Sequence, residues 1–486
     1  MALVPLNISF LHRASGTEII NVRYSKTTSL YQPALVLSEE PIIPDPQLFK
    51  PLSHQTSTNR RDLPTINECA VHLELLEVFH ALKYKVQQSR DLDNTFGVEP
   101  NTRTVYRKRY SSTLRKYESY TARVKDTTFE QRRKEKWEYF LELAVGRFTR
   151  WIRRANTMTF SGTDSETGGP FGQGPLPPID VLMVWHAFLL NPDDFDFYCV
   201  KHRLERIRKA QLPWKQIHEA INARNWSYSL PKAQKDWLEK EAEFAPDLFE
   251  MLVEVGKSGS HAKHVLSQYG SGSKTSPFSL LKYADSRANY VFVEMVQTTR
   301  AEASRNKPLK ANVDRQLKFV EKMHAHLWIR SPAVEGTLYR AIDRYEKFLQ
   351  LFRDYPKMTL VPTLDVDLVW HTHLCNPEQY RTSLVERAGR IVNHDDKLGK
   401  TFLDIRFGKT NELFQITFGQ QYEVCLCWDC QAILSAMEAF AINDDIDIMD
   451  DVDGGADSVV KKVEDDVRYY RAVEIARWQG RRLPVR

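Results

Sequence analysis

With 486 residues, 42% hydrophobic and 27% charged, the chain has ordinary globular composition and is long enough for two or three domains with sizeable cores. No run of about 18 uncharged apolar residues occurs, which argues against a membrane-spanning helix, and the opening MALVPLNISFLHRASG lacks the basic start of a secretory leader. The net charge of +5 implies no nucleic-acid partner by itself, and six cysteines in so long a chain suit a reducing compartment, so an intracellular, cytoplasmic location is expected.

Residues 1–62 carry Pro33, Pro41, Pro44, Pro46 and Pro51 with little helical period and read as an extended arm. From Thr65 to about Lys85, Val71, Leu75, Val78 and Leu82 recur at helical spacing and predict a helix with one buried stripe. Residues 101–154 then hold 16 Lys and Arg against 6 Asp and Glu, interleaved with Tyr106, Tyr110, Tyr117 and Tyr120. Cations contact phosphates and aromatics stack on bases, so this is the best nucleic-acid signal in the chain. The plainer reading gives the charges to the solvated face of an amphipathic helix burying Trp137, Phe140, Leu141, Ala144, Phe148 and Trp151. RNA binding through that helix is the secondary expectation.

The same helix opens an internal repeat. Ala144, Val145, Arg147, Phe148 and Trp151 match Ala341, Ile342, Arg344, Tyr345 and Phe348, and IDVLMVWHAFLLNPDDF from Ile179 matches LDVDLVWHTHLCNPEQY from Leu364. The copies differ in spacing by an insertion that coincides with the Gly-rich loop from Gly162 to Gly174, where extra chain costs little. Helices are expected over 214–224, 232–244, 247–255, 280–305, 314–328 and 333–353. The predicted fold is mainly α: two related helical units, 63–255 and 284–431, joined by a Gly/Ser-rich linker at 256–283. The arm 1–62 precedes them, and a charged tail, 432–486, follows, acidic through Asp453 and basic from Arg468.

The two copies diverge where chemistry would sit. Both keep Asp180 or Asp365 near the helix start, where a carboxylate complements unpaired N–H groups, and both keep the Trp-His pair. Only the second copy has Asp367 and His373, where the first has Leu182 and Phe188. At 3.6 residues per turn Asp367 and His371 share a face that His373 does not. A metal held by both histidines would need His373 to lie past the helix end, which Asn376-Pro377 permits. His394, followed by Asp395 and Asp396, is either a satisfied histidine beside a helix cap or a third donor. In the second case His371, His373 and His394 form an open zinc or iron site, with Asp367 or Asp395 behind them as hydrogen-bond partner or general base.

Cys425, Cys427 and Cys430, in CLCWDC, offer three soft ligands that one further donor would complete as tetrahedral zinc. Cys375, His371, His373 and His394 are the candidates for that place.

PIDVLMVWHAFLLNP, VPTLDVDLVWHTHLCNP, HDDKL and C-x-C-W-x-C resemble the glycine-rich domain-containing protein-like family, a domain family of unknown function in fungi and plants, over roughly 64–435. The cysteine cluster is similar to that of fungal members, and Leu374 departs from the family's usual glutamine. The resemblance implies a paired-unit helical fold and brings no established activity. The leading expectation is a non-catalytic interaction protein with unknown protein partners and a structural zinc in its second unit. The alternatives are a metal-dependent enzyme using the histidines and RNA binding through 101–154.

Overall fold

The computed structural model describes residues 30–32, 43–53, 63–98, 103–157, 176–240, 244–257, 261–267, 287–443 and 452–485. It is mainly helical. The helix at its centre is α1 (Ile66–Gln88), started by a reciprocal cap in which Thr65 Oγ1 accepts from the Glu68 N–H and the Glu68 carboxylate accepts from the Thr65 N–H. The expected single stripe is corrected here: every residue from Cys69 to Phe79 is buried, because neighbours enclose the helix on all sides. Its buried polar groups are each paired, Glu74 with His218 at 2.6 Å, Glu77 with His324 at 2.7 Å and His72 as described below.

After the short α2 (Arg90–Thr95) come β1 (Arg103–Ser111) and β2 (Lys116–Val124), an antiparallel hairpin with Tyr110 opposite Tyr117 and Arg107 opposite Tyr120. Half of the basic stretch is therefore not the surface of a helix. Val105, Tyr106, Tyr110, Tyr117, Tyr120, Thr121 and Val124 favour extended backbone, and the turn closes on Arg115 with a left-handed φ of 48°. The amphipathic helix proper is α3 (Phe129–Thr157), which buries Trp137, Phe140, Leu141, Ala144, Phe148 and Trp151 as expected.

The first half continues with α4 (Ile179–Leu189), α5 (Pro192–Lys201), α6 (Glu205–Arg208), α7 (Trp214–Ala220) and a second small hairpin, β3 (Ile221–Asn222) with β4 (Ser227–Tyr228). Then follow α8 (Lys232–Lys240), α9 (Leu248–Lys257) and α10 (His261–Ser267), the last within the expected linker.

Next, α11 (Arg287–Ala301) and α12 (Ala303–His326) divide at Glu302, so the second begins well before Asp314 and runs through Pro308. Gly146 of α3 lies so close to α11 that an added Cβ would come within 2.1 Å of Thr299 Oγ1. The chain then forms α13 (Val334–Asp354), α14 (Leu364–Leu374), α15 (Pro377–Ala388), α16 (Lys400–Phe418), α17 (Trp428–Asn443) and α18 (Val452–Trp478).

The site is positioned by α14, which packs on α13 and α1, while α4 packs on α3 and α12. Side chains from α1, α3, α4, α13 and α14 share one contiguous apolar core. Part of the arm is folded: residues Pro46–Ser53 form a 3-10 helix that buries Leu48, Phe49 and Leu52, with Phe49 stacked on His218 at 3.8 Å. The basic end of the tail forms α18 and pairs Arg471 with Asp429 at 2.6 Å. The rest of the arm, the Gly162–Gly174 loop, most of the linker and the acidic run 444–451 lie outside the described residues.

Candidate metal centre

Asp180 and Asp365 lie in the first turns of their helices, as expected. Each is the buried partner of an arginine on the long preceding helix, Arg147 Nε to Asp180 at 2.7 Å and Arg344 Nε to Asp365 at 2.8 Å. Arg147 also donates to the Ala245 carbonyl and Arg344 to Thr363 Oγ1, so most of each guanidinium is satisfied inside the protein. These pairs clamp α4 to α3 and α14 to α13 in the same way, and with them the histidines that follow.

From α14, Asp367 and His371 project together, four residues apart on one face. His394, in the irregular segment after α15, comes back to meet them. Its Nε2 lies 3.0 Å from His371 Nε2, and Asp367 Oδ1 is 3.3 Å from His371 Nε2 and 3.4 Å from His394 Nε2. A point equidistant from the three atoms lies about 1.9 Å from each. Donor atoms this close fit a single small divalent ion, which Asp367, His371 and His394 would hold. Phe319 packs against the His371 ring at 4.3 Å and Trp370 meets the His394 ring edge to face at 5.0 Å. Asp367 and His394 keep some solvent exposure while His371 is buried.

The charges are arranged to match. Burial pushes the Asp367 carboxyl up, but the two imidazoles outweigh it and hold it well below the usual carboxylate range. Burial lowers His371 despite Asp367 beside it, which keeps that imidazole neutral. For His394 the balance reverses: burial lowers it, but Asp367 and Asp396 together raise it. A cation bound between the three groups would take the place of the His394 proton.

His373 stands apart from this cluster. It lies inside α14, not past its end, and both ring nitrogens are taken up: Tyr345 O–H meets Nδ1 at 2.9 Å and Ser383 Oγ meets Nε2 at 2.8 Å. At the positions that align with these in the sequence, Phe148, Phe188 and Tyr198 form an aromatic cluster in which Phe188 packs edge-on against both others. That pocket is held by ring contacts where the one around His373 is hydrogen-bonded. Asp395 is also away from the cluster: it is exposed and accepts from the Lys397 N–H, while its neighbour Asp396 faces Arg315 at 2.8 Å.

His72, not singled out by any sequence pattern, pairs with His186 of the other Trp-His helix. Thr372 Oγ1 donates to the Leu368 carbonyl at 2.9 Å and so accepts from His72 Nδ1 at 2.8 Å, which leaves His72 Nε2 to accept from His186 Nε2 at 2.8 Å. Burial and His371 together lower His186 to about 3. This is a neutral, internally satisfied pair with no carboxylate, because Leu182 stands where the second copy has Asp367.

The three cysteines form a separate cluster, with sulfur atoms within 4.8 Å of one another and Cys425 Sγ to Cys427 Sγ at 3.3 Å. Hydrogen bonding from Cys430 brings the Cys427 thiol down to about 5. Among the described residues, none of the four donors expected for the fourth place joins it: Cys375 is buried elsewhere, His373 is engaged as above, and His371 and His394 belong to the other cluster. A histidine at the end of α12, His326, lies near this cluster. Trp428 Nε1 donates to the His326 carbonyl at 2.7 Å and Trp328 Nε1 to the Leu426 carbonyl at 3.0 Å, which places His326 within electrostatic reach of Cys427.

Fold and site define a mainly helical protein with two clusters of metal-ligating side chains, and among the described residues no helix is long and apolar enough to cross a membrane. Residues 257–383 match the glycine-rich domain-containing protein-like family, which bears out the resemblance read from the sequence. The match takes in α14 and most of α15 and ends before His394 and the cysteines. Two Arabidopsis thaliana proteins are similar: Glycine-rich domain-containing protein 1 is 39% identical over 94 residues, 18% of this chain and 11% of that protein. Glycine-rich domain-containing protein 2 is 36% identical over 94 residues, 18% of this chain and 12% of its own length. The matching segment thus spans only about a tenth of either relative. No solved structure matches the chain.

Proposed function

We propose that the protein is a metal-binding helical protein in which Asp367, His371 and His394 hold a divalent transition ion, zinc in the first instance. The observation that carries this reading is the triangle of ligand atoms with sides of 3.0, 3.3 and 3.4 Å, assembled from two separate segments of chain. Three protein donors leave room for water or substrate, whereas structural zinc sites close with four. A two-histidine, one-carboxylate set suits zinc or iron, and when bound the ion would supply Lewis acidity and an acidified water. The weight therefore moves from a non-catalytic interaction module toward metal-dependent chemistry, with Asp367 as a ligand and not a base behind the histidines. Neither Asp395 nor His373 has a part in it.

A second reading concerns the cysteines. Cys425, Cys427 and Cys430, with His326 as fourth donor, would form a structural zinc site that ties the end of α12 to α17. The two indole hydrogen bonds already joining those segments support it. The duplicated organisation belongs to the same proposal: the like placement of the Arg147–Asp180 and Arg344–Asp365 pairs supports two related units, the first retained for architecture and the second carrying the donors. The free thiols remain the ground for an intracellular location.

The test is elemental analysis of the purified full chain before and after chelation. One ion should be lost in His371→Ala and in His394→Ala and kept in His373→Phe, and the triple Cys425→Ser, Cys427→Ser, Cys430→Ser change should remove a second ion only. Folded protein that takes up no metal from zinc, iron or cobalt solutions would end the proposal.

A further inference from the structure

The β1–β2 hairpin is unlike the rest of the molecule. Its tyrosines face solvent, Tyr106 81% exposed, Tyr110 53%, Tyr117 69% and Tyr120 45%, although buried aromatic area is what usually holds such a unit in place. Among the described residues the cations Arg107, Lys108, Arg109, Arg115, Lys116 and Arg123 have no carboxylate partner, and Glu118 is the one acidic residue on the two strands. On α3, Arg147 holds Asp180, Arg133 and Lys136 both hold Asp93 and Arg132 holds Asp126, while Arg150, Arg153 and Arg154 are exposed. What sets the hairpin apart is that its cations alternate with exposed aromatic rings.

The register sorts these residues. Tyr106, Lys108 and Tyr110 alternate along one face of β1, with Tyr117 directly across from Tyr110 and their rings 5.3 Å apart. Four residues of strand span about 13 Å, so Tyr106 and the Tyr110–Tyr117 pair form two aromatic platforms with a cation between them. Arg107, Arg109 and Lys116 line the opposite face. Aromatic platforms separated by cations are what a single strand of nucleic acid requires: bases stack on the rings while phosphates meet the charges, without sequence readout. A duplex, whose bases are already stacked, gains only the charge.

We propose that the β1–β2 hairpin is an arm that binds single-stranded nucleic acid, with Tyr106, Tyr110 and Tyr117 stacking on bases and Lys108 and Arg123 contacting phosphates. This surface is independent of the metal-ligand clusters. The test is fluorescence anisotropy of the full chain with a labelled oligouridylate of about 20 nucleotides, at several salt concentrations. Tyr106→Ala, Tyr110→Ala, Tyr117→Ala should weaken binding about tenfold or more, while the same three changes to Phe should leave it within about twofold, since the ring and not the hydroxyl does the stacking. Lys108→Glu with Arg123→Glu should flatten the dependence of affinity on salt. A duplex of equal length should bind more weakly than the single strand. Charge reversal at Arg150, Arg153 and Arg154, exposed on α3, should change affinity little.

Each of the following would overturn the proposal: no binding at about 50 mM salt, equal affinity of the alanine triple variant and the parent, or loss of binding from the α3 reversal alone. Binding to phosphatidylserine-containing vesicles without binding to oligouridylate would also overturn it and make the hairpin a membrane-surface arm instead.

Discussion

His371 and His394 meet Nε2 to Nε2 at 3.0 Å although 23 residues separate them and only His371 lies on a helix. Two imidazole nitrogens at this distance share one proton or one ion, and Asp367 Oδ1 beside both favours a cation there. Zinc at about a hundred times its dissociation constant should raise the stability of the parent by about 2.7 kcal/mol. Measured in the Cys425→Ser, Cys427→Ser, Cys430→Ser background, which removes the second site, differential scanning fluorimetry should show this gain and lose it on adding Asp367→Asn or His394→Ala.

His373 is expected to matter for folding and not for metal. Replacing it with Phe leaves the buried Tyr345 hydroxyl without its partner, at a cost of about 1–3 kcal/mol, while Ser383 keeps its bond to the Tyr380 carbonyl. Adding Tyr345→Phe and Ser383→Tyr would rebuild the pocket of Phe148, Phe188 and Tyr198 and should recover much of that loss. Urea unfolding of the single and triple variants measures the difference. A single variant as stable as the parent would contradict the structural role assigned to His373.

The buried Arg344–Asp365 pair gives a third expectation. Asp365→Ala strands a guanidinium in the core and should cost about 3–5 kcal/mol. The double change Arg344→Ala, Asp365→Ala should cost less than the sum of its parts, which a double-mutant cycle by chemical denaturation reads directly. The same non-additivity is expected for Arg147 and Asp180, held at 2.7 Å.

Stability should also respond to pH through Glu335. Burial, with Asp45 nearby, raises its carboxyl from 4.5 to about 7. The folded protein therefore keeps a proton that the unfolded chain gives up, so the contribution is complete below about pH 4.5 and lost as pH rises through about 7. Glu335→Gln, which cannot ionise, should gain on the parent between pH 5 and pH 8. Unfolding midpoints at the two values check this, and an unchanged difference would contradict it.

Much of the framework was legible because helical period and capping are local. The helix from Thr65, the apolar face of α3 and the matched Trp-His helices could all be read within a few turns of chain. The hairpin was obscured because its alternating tyrosines are mixed with cations that suit a helix surface equally well, although Val105, Thr121 and Val124 favour strands. The assignment of Asp180 and Asp365 as helix-end carboxylates missed the arginines, which are brought in by tertiary packing. Choosing His394 over His373 as the partner of His371 needed the return of the chain after α15, which no spacing encodes. His72 and His326 carry no motif at all. The first is hidden in a helix buried on every side, and the second reaches the cysteines through two indole hydrogen bonds.

The most direct measurement is anomalous scattering at the zinc edge from crystals of the full chain grown with zinc. The account requires a peak at about 2.0–2.2 Å from Asp367 Oδ1, His371 Nε2 and His394 Nε2, with any second peak at the cysteines. Crystals in which those three side chains keep their positions and no peak falls between them would contradict it.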